Sequence, residues 1–142
     1  MKYLITIITL TLSCNLFAQS IIKATSPVFP GCEKIDANNN FEMENCFKEK
    51  LSEKINLEID KYTTQLDSLN IDEFDARIKF NVTPEGKLAN LMVLTTSAPA
   101  FRPLLIKAMK DAAAPLEVTP SQGEDGKTRL KGIIMELSYD QK

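Results

Sequence analysis

The chain has 142 residues, with 17 Lys and Arg against 19 Asp and Glu, no histidine, 44% hydrophobic and 25% charged residues. That is the composition of an ordinary folded protein. A formal net charge of -2 argues against nucleic acid as a partner, and the lack of histidine removes Ser-His and Cys-His nucleophilic systems and most zinc hydrolase sites.

Residues 1–18 carry one basic residue, Lys2, then an apolar core of Leu4, Ile5, Ile7, Ile8, Leu10 and Leu12, and a small-residue exit at Ala18. This is the pattern of an export signal peptide. The core is too short, and too broken by Thr6, Thr9, Thr11 and Ser13, for the roughly 20 apolar residues a spanning helix needs. Cleavage after Ala18 makes Gln19 the new terminus. A rival is lipidation at Cys14, the one route by which the chain would be tied to a membrane, but Thr11 stands where a lipoprotein signal wants a large aliphatic residue. Loss of Lys2 leaves a mature chain of net charge -3, with room for one domain.

The expected order is a lead over 19–31 and a domain over 32–142. The lead ends in Pro27-Val28-Phe29-Pro30-Gly31, which predicts an extended segment that then turns. Cys32 and Cys46 are the two cysteines left after cleavage, an even number in an oxidising compartment, and are expected to be bridged. Metal binding is the weaker alternative because two thiolates do not complete a zinc site, and redox work because there is no C-x-x-C. Cofactors and metals are not expected.

Asp36-Ala37-Asn38-Asn39-Asn40 offers N-cap side chains. Met43, Phe47, Leu51, Ile55, Ile59, Tyr62, Leu66 and Leu69 then recur at steps of three and four, predicting one amphipathic helix over about 41–68. Phe74, Ala76, Ile78, Phe80 and Val82 alternate with polar residues, predicting a strand with one buried face. Thr83-Pro84-Glu85-Gly86-Lys87 is a turn, and 88–95 completes a hairpin. Phe101, Leu105, Ala108, Met109 and Ala112 mark a second helix that tolerates Pro103 in its first turn and stops at Pro115. Pro120 to Gly126 is expected to be a loop, and Leu130 to Tyr139 a third strand.

Helix, strand, strand, helix, strand gives a two-layer α+β fold, with a small three-stranded antiparallel sheet packed by two helices. The expected strand order is 2-1-3, which makes the second and third strands edges.

Enzymatic motifs are absent: there is no G-x-S-x-G, G-x-G-x-x-G or P-loop. Asp72, Glu73 and Asp75 could be offered as a carboxylate pair but read as solvated loop at a helix-to-strand junction, and Asp36 to Asn40 lacks calcium-loop spacing. No enzymatic activity is expected.

Pro27-Val28-Phe29-Pro30-Gly31-Cys32-Glu33, the later Cys46-Phe47, and Val82-Thr83-Pro84-Glu85-Gly86-Lys87 followed by a helix resemble the C-terminal domain of TonB energy transducers of the Bacteroidetes type, over most of 27–139. Members of that family also carry a membrane anchor and a Pro/Lys-rich spacer, neither of which is expected in this chain. They tend to have a basic Lys-Pro-Gly stretch where this chain has Leu116-Glu117-Val118-Thr119-Pro120 and Gly123-Glu124-Asp125-Gly126-Lys127. The resemblance implies a periplasmic interaction module that binds an extended segment of an outer-membrane transporter, or another envelope protein, as an added strand. Its partner-binding strand is expected at Leu130, Lys131, Gly132, Ile133, Ile134, Met135, Glu136 and Leu137, with Ile133, Met135, Leu137 and Tyr139 facing the core and the backbone edge open. The alternative is a small periplasmic carrier or inhibitor whose ligand lies between the first helix and the sheet.

Overall fold

The computed structural model describes residues 24–142; the export signal expected over 1–18 and the first residues of the expected lead lie outside them. The elements are α1 (Asn40–Ile59), α2 (Thr63–Ser68), β1 (Glu73–Val82), β2 (Leu88–Thr96), α3 (Arg102–Ala113), β3 (Ser121–Gln122), β4 (Thr128–Arg129) and β5 (Lys131–Asp140). The three long strands form one antiparallel sheet in the order β2-β1-β5, which is the expected 2-1-3. The α+β class and the helix-strand-strand-helix-strand order stand.

Asn39 is the N-cap of α1: its side chain accepts from the Glu42 N–H at 3.1 Å, which satisfies one of the free donors of the first turn. Met43, Phe47, Leu51, Ile55 and Ile59 are buried along one stripe. The predicted single helix is broken, because the chain tightens into a 3-10 turn at Asp60–Tyr62 before α2. Leu66 is buried, but Leu69 is 39% exposed rather than core. Leu69 lies beyond the end of α2, where Asn70 adopts φ 52 and the Ile71 N–H reaches back to the Leu66 carbonyl at 3.0 Å. Asn70 tolerates the left-handed conformation that this C-terminal cap demands.

Strand β1 alternates as expected, with Phe74, Ala76, Ile78, Phe80 and Val82 buried under the helices. The core faces α1 and α3 on one side of the sheet only; the other side is open. Phe29, Phe47 and Phe80 run through the interior as an edge-to-face pair at 5.2 Å and a stacked pair at 6.0 Å, arrangements that suit the ring quadrupoles.

The cysteines are bridged. The Cys32–Cys46 disulfide spans a Cα–Cα distance of 6.1 Å and holds the Phe29-Pro30-Gly31 segment on α1. The described part of the lead is bound further by side chain and backbone. The Ser26 N–H donates to Asn40 Oδ1 at 2.8 Å, and Val28 pairs with Thr119 through N–H···O bonds of 2.9 and 3.0 Å. The segment expected to be a loop, Pro120 to Gly126, instead supplies β3 and the turn of a short hairpin whose second strand, β4, follows it; Gly126 in that turn has φ 73. Two acids expected in a loop, Glu73 and Asp75, are instead strand residues on the open face of β1, where Asp75 Oδ1 accepts from the Ser138 hydroxyl at 2.6 Å.

Candidate functional site

The sheet has two edges, and they differ. On β2 the register slips by one residue twice against β1, between Arg77 and Ile78 and between Lys79 and Asn81. Asn90 sits at φ 52 within the second irregularity. Arg102 Nη2 also donates to the Leu94 carbonyl at 3.2 Å. Bulges and side-chain caps are how an edge is made unfit for further pairing. Strand β5 has no bulge, and a side chain caps it only near its C-terminal end: all ten residues pair with β1 in one register, from Glu73↔Asp140 to Val82↔Lys131, and Asn56 meets the Ser138 carbonyl.

The direction of each backbone group on β5 follows from three bonds. The Ser97 N–H donates to the Asp75 carbonyl at 2.9 Å, so odd-numbered residues of β1 turn their peptide groups toward β2 and even-numbered ones toward β5. The Gln141 N–H donates to the Asp72 carbonyl at 2.8 Å, in the same phase. Asn56 Nδ2 donates to the Ser138 carbonyl at 3.2 Å from the outer side of β5. An antiparallel strand alternates these directions residue by residue. Lys131, Ile133, Met135 and Leu137 therefore bond β1, and Gly132, Ile134 and Glu136 point their N–H and C=O groups away from the sheet. Among the described residues, nothing hydrogen-bonds those three outward backbones.

Of the eight residues expected to meet a partner, the structure thus divides seven between the ladder and the free edge. The eighth, Leu130, lies outside the strand, since β5 begins at Lys131 and ends at Asp140, and it is 61% exposed. Ile133, Met135, Leu137 and Tyr139 face the core, as expected. On the open face Ile134 is 43% exposed and lies across Lys79 from Met92. Glu136 pairs with Arg77 at 3.4 Å, an exposed contact worth less than about 1 kcal/mol.

At its C-terminal end the edge closes against α1. Beyond the Asn56 cap lies a groove of about 610 Å³, lined by Glu53, Asn56, Leu57 and Asp60 on one wall and by Tyr139, Asp140 and Gln141 on the other. The Tyr139 hydroxyl donates to Asp60 Oδ1 at 2.9 Å. Burial, then that hydrogen bond and the negative charges of Asp60, Asp140 and Asp67, push its pKa up to about 12. The groove went unnoticed in the sequence, although a signal was there: Glu53, Asn56, Leu57 and Asp60 recur at helical steps beside the core stripe, and Leu57 is an apolar residue off that stripe, 64% exposed.

The space between α1 and the sheet, where a carried ligand was the alternative expectation, is occupied by Phe47, Leu51, Ile55, Ile78, Phe80 and Leu137, all fully buried. Among the described residues no helix is long and apolar enough to cross a membrane. The disulfide fits an oxidising compartment. No protein-family model matches the chain, and no curated protein matches it.

Proposed function

We propose that this protein is an exported, periplasmic interaction module without enzymatic activity, which takes up an extended segment of an envelope protein as a fourth strand along β5. The observation that carries this reading is the difference between the two edges: β2 is bulged twice, while β5 is regular over ten residues, is capped at Ser138 alone, and leaves Gly132, Ile134 and Glu136 unpaired. A row of free donors and acceptors supplies affinity through backbone bonds, and alternate side chains of the incoming segment supply specificity. The resemblance of the Pro-Gly-Cys lead and the Gly86 hairpin to TonB C-terminal domains supports an outer-membrane transporter segment as the partner class. The filled interior under α1 favours this reading over that of a ligand carrier.

The test is capture of envelope proteins by the disulfide-bonded chain and by its Glu136→Pro variant. Proline at 136 removes one outward donor and no ladder bond. The expected result is a variant that folds as before and loses the proteins the native chain retains. Unchanged capture by a folded variant would reject β5 as the binding edge.

A further inference from the structure

Two residues that line the groove at the end of β5 each carry a buried acceptor with nothing to accept from. Asn56 Oδ1 and Gln141 Oε1 are buried atoms without a hydrogen-bond partner. Their orientation is set by the other end of each amide, because Asn56 Nδ2 is committed to the Ser138 carbonyl at 3.2 Å and Gln141 Nε2 to Asp67 Oδ1 at 2.8 Å. A buried acceptor left unpaired is destabilising until a donor arrives. The same groove is lined by Glu53, Asp60 and Asp140, against one cation, Lys142. Glu53 also meets Lys50 at 3.2 Å, on the exposed outer surface of α1. Leu57 and the Tyr139 ring give the same groove an apolar wall.

We propose that the segment added along β5 carries a lysine or arginine whose side chain enters this groove, its aliphatic stem on Leu57 and its cationic head among Glu53, Asp60 and Asp140, above the buried oxygens of Asn56 and Gln141. The inference rests on the strand-addition reading and names the chemistry of its partner. Lys and Arg bring several N–H donors, no acceptor and a long apolar stem, which is the complement of a site made of carboxylates, amide oxygens and a leucine. The groove lies beyond the free edge along the same strand, on the far side of the Asn56 cap. Asn56 ends the ladder at Ser138, and Asp140 stands about 13 Å beyond Glu136 at the usual rise of a strand. The basic residue therefore falls within about four positions of the one that faces Glu136.

The experiment uses short alternating Thr-Val peptides bearing a fluorophore, with Lys at one end, Lys at the other, or Gln at both. Binding to the full disulfide-bonded chain is read by anisotropy at low and high salt. One Lys-ended peptide is expected to bind about fivefold more tightly than the Gln peptide, as two exposed ion pairs would supply. That advantage should vanish at high salt and in the Glu53→Gln, Asp140→Asn double variant, with Gln-peptide affinity unchanged. N-methylation of alternate peptide residues, which strips ladder donors without altering the protein, should abolish binding of all three.

Equal binding of all three unmethylated peptides, lost on methylation, would overturn the groove inference and leave strand addition standing. A Lys preference that survives methylation would mean a cation site unconnected with the edge, and overturns the inference as stated. No binding by any peptide would overturn it together with the reading it rests on.

Discussion

Val118 donates its N–H to the Gly86 carbonyl at 3.0 Å, and the same approach leaves no space for a side chain at residue 86, because a Cβ built there would overlap the Val118 carbonyl oxygen. This contact locks the β1-β2 turn onto the segment after α3, and Thr119 in that segment pairs with Val28 of the lead. Lead, crossing segment and hairpin turn are thus tied edge to edge by backbone bonds.

The first prediction is a comparison of two glycines. Gly86 has φ 77 and a blocked Cβ position, while Gly126 has φ 73 and open space around it. Gly126→Ala should cost about 1 kcal/mol for the left-handed backbone alone. Gly86→Ala should cost about 2 kcal/mol more, because the crossing segment must also retreat. Urea melts of both variants measure the difference, and equal costs would show that the Gly86–Val118 contact does not constrain the turn.

The Cys32–Cys46 bridge closes a short loop between the lead and α1. In the chain-entropy model a loop of this size stabilises by about 3 kcal/mol, or roughly 10 °C in melting temperature for a domain this small. Thiol titration of the denatured, unreduced protein should find neither cysteine free. The Cys32→Ser, Cys46→Ser double variant should melt lower by about that amount, and a difference under a few degrees would mean that the lead is held without the bridge.

Proline substitution separates inward from outward peptide groups on β5. Lys131 is in phase with the residues that bond β1, opposite Val82, so Lys131→Pro should remove a ladder bond and cost about 1–3 kcal/mol. Glu136 points its N–H outward, so Glu136→Pro should stay within about 1 kcal/mol of the native protein, losing only the exposed contact with Arg77. Thermal melts decide it, and the reverse order of costs would mean the phase of the strand is inverted.

Tyr139 carries a pH signature. Its hydroxyl is held up to about 12, above the usual value near 10, first by burial and then by the hydrogen bond to Asp60. A raised pKa in the folded state means that the unfolded chain gives up the proton first. The contribution is therefore complete below pH 10 and is lost as pH rises from about 10 to about 12. Tyr139→Phe should lose about 1 kcal/mol at neutral pH with the hydrogen bond, and should show a shallower fall in melting temperature across that alkaline window. Parallel curves for the two proteins would show that the hydroxyl ionises equally in both states.

Processing is tested by mass. If residues 1–18 are an export signal, the chain recovered after export should begin at Gln19, after the small residue Ala18. A diacylglycerol on Cys14 would instead place the protein on a membrane.

Much of the fold was legible in the residues alone. Period-two burial in Phe74 to Val82 and in Ile133 to Tyr139, steps of three and four from Met43 to Ile59, and the turn residues Pro84 and Gly86 each describe a local conformation, and local conformations are what periodicity encodes. The even cysteine count pointed to the bridge for a reason of redox chemistry. Where the pattern misled, a local detail had won. Spacing continued smoothly through Ile59, Tyr62 and Leu66 although the chain tightens there into a 3-10 turn, and Leu69 kept the period after Asn70 had ended the helix. The properties on which function depends were not in the pattern. A sequence shows which side chains of β5 face the core, but its N–H groups lie at right angles to them and their phase depends on which side β1 takes. The bulges that close the β2 edge, and the meeting of Asn56 and Asp60 with Tyr139 and Gln141, bring together residues some eighty positions apart. Only the packed chain decided those, because hydrogen-bond direction and long-range proximity are properties of neighbours in space, and a linear pattern records neighbours along the chain.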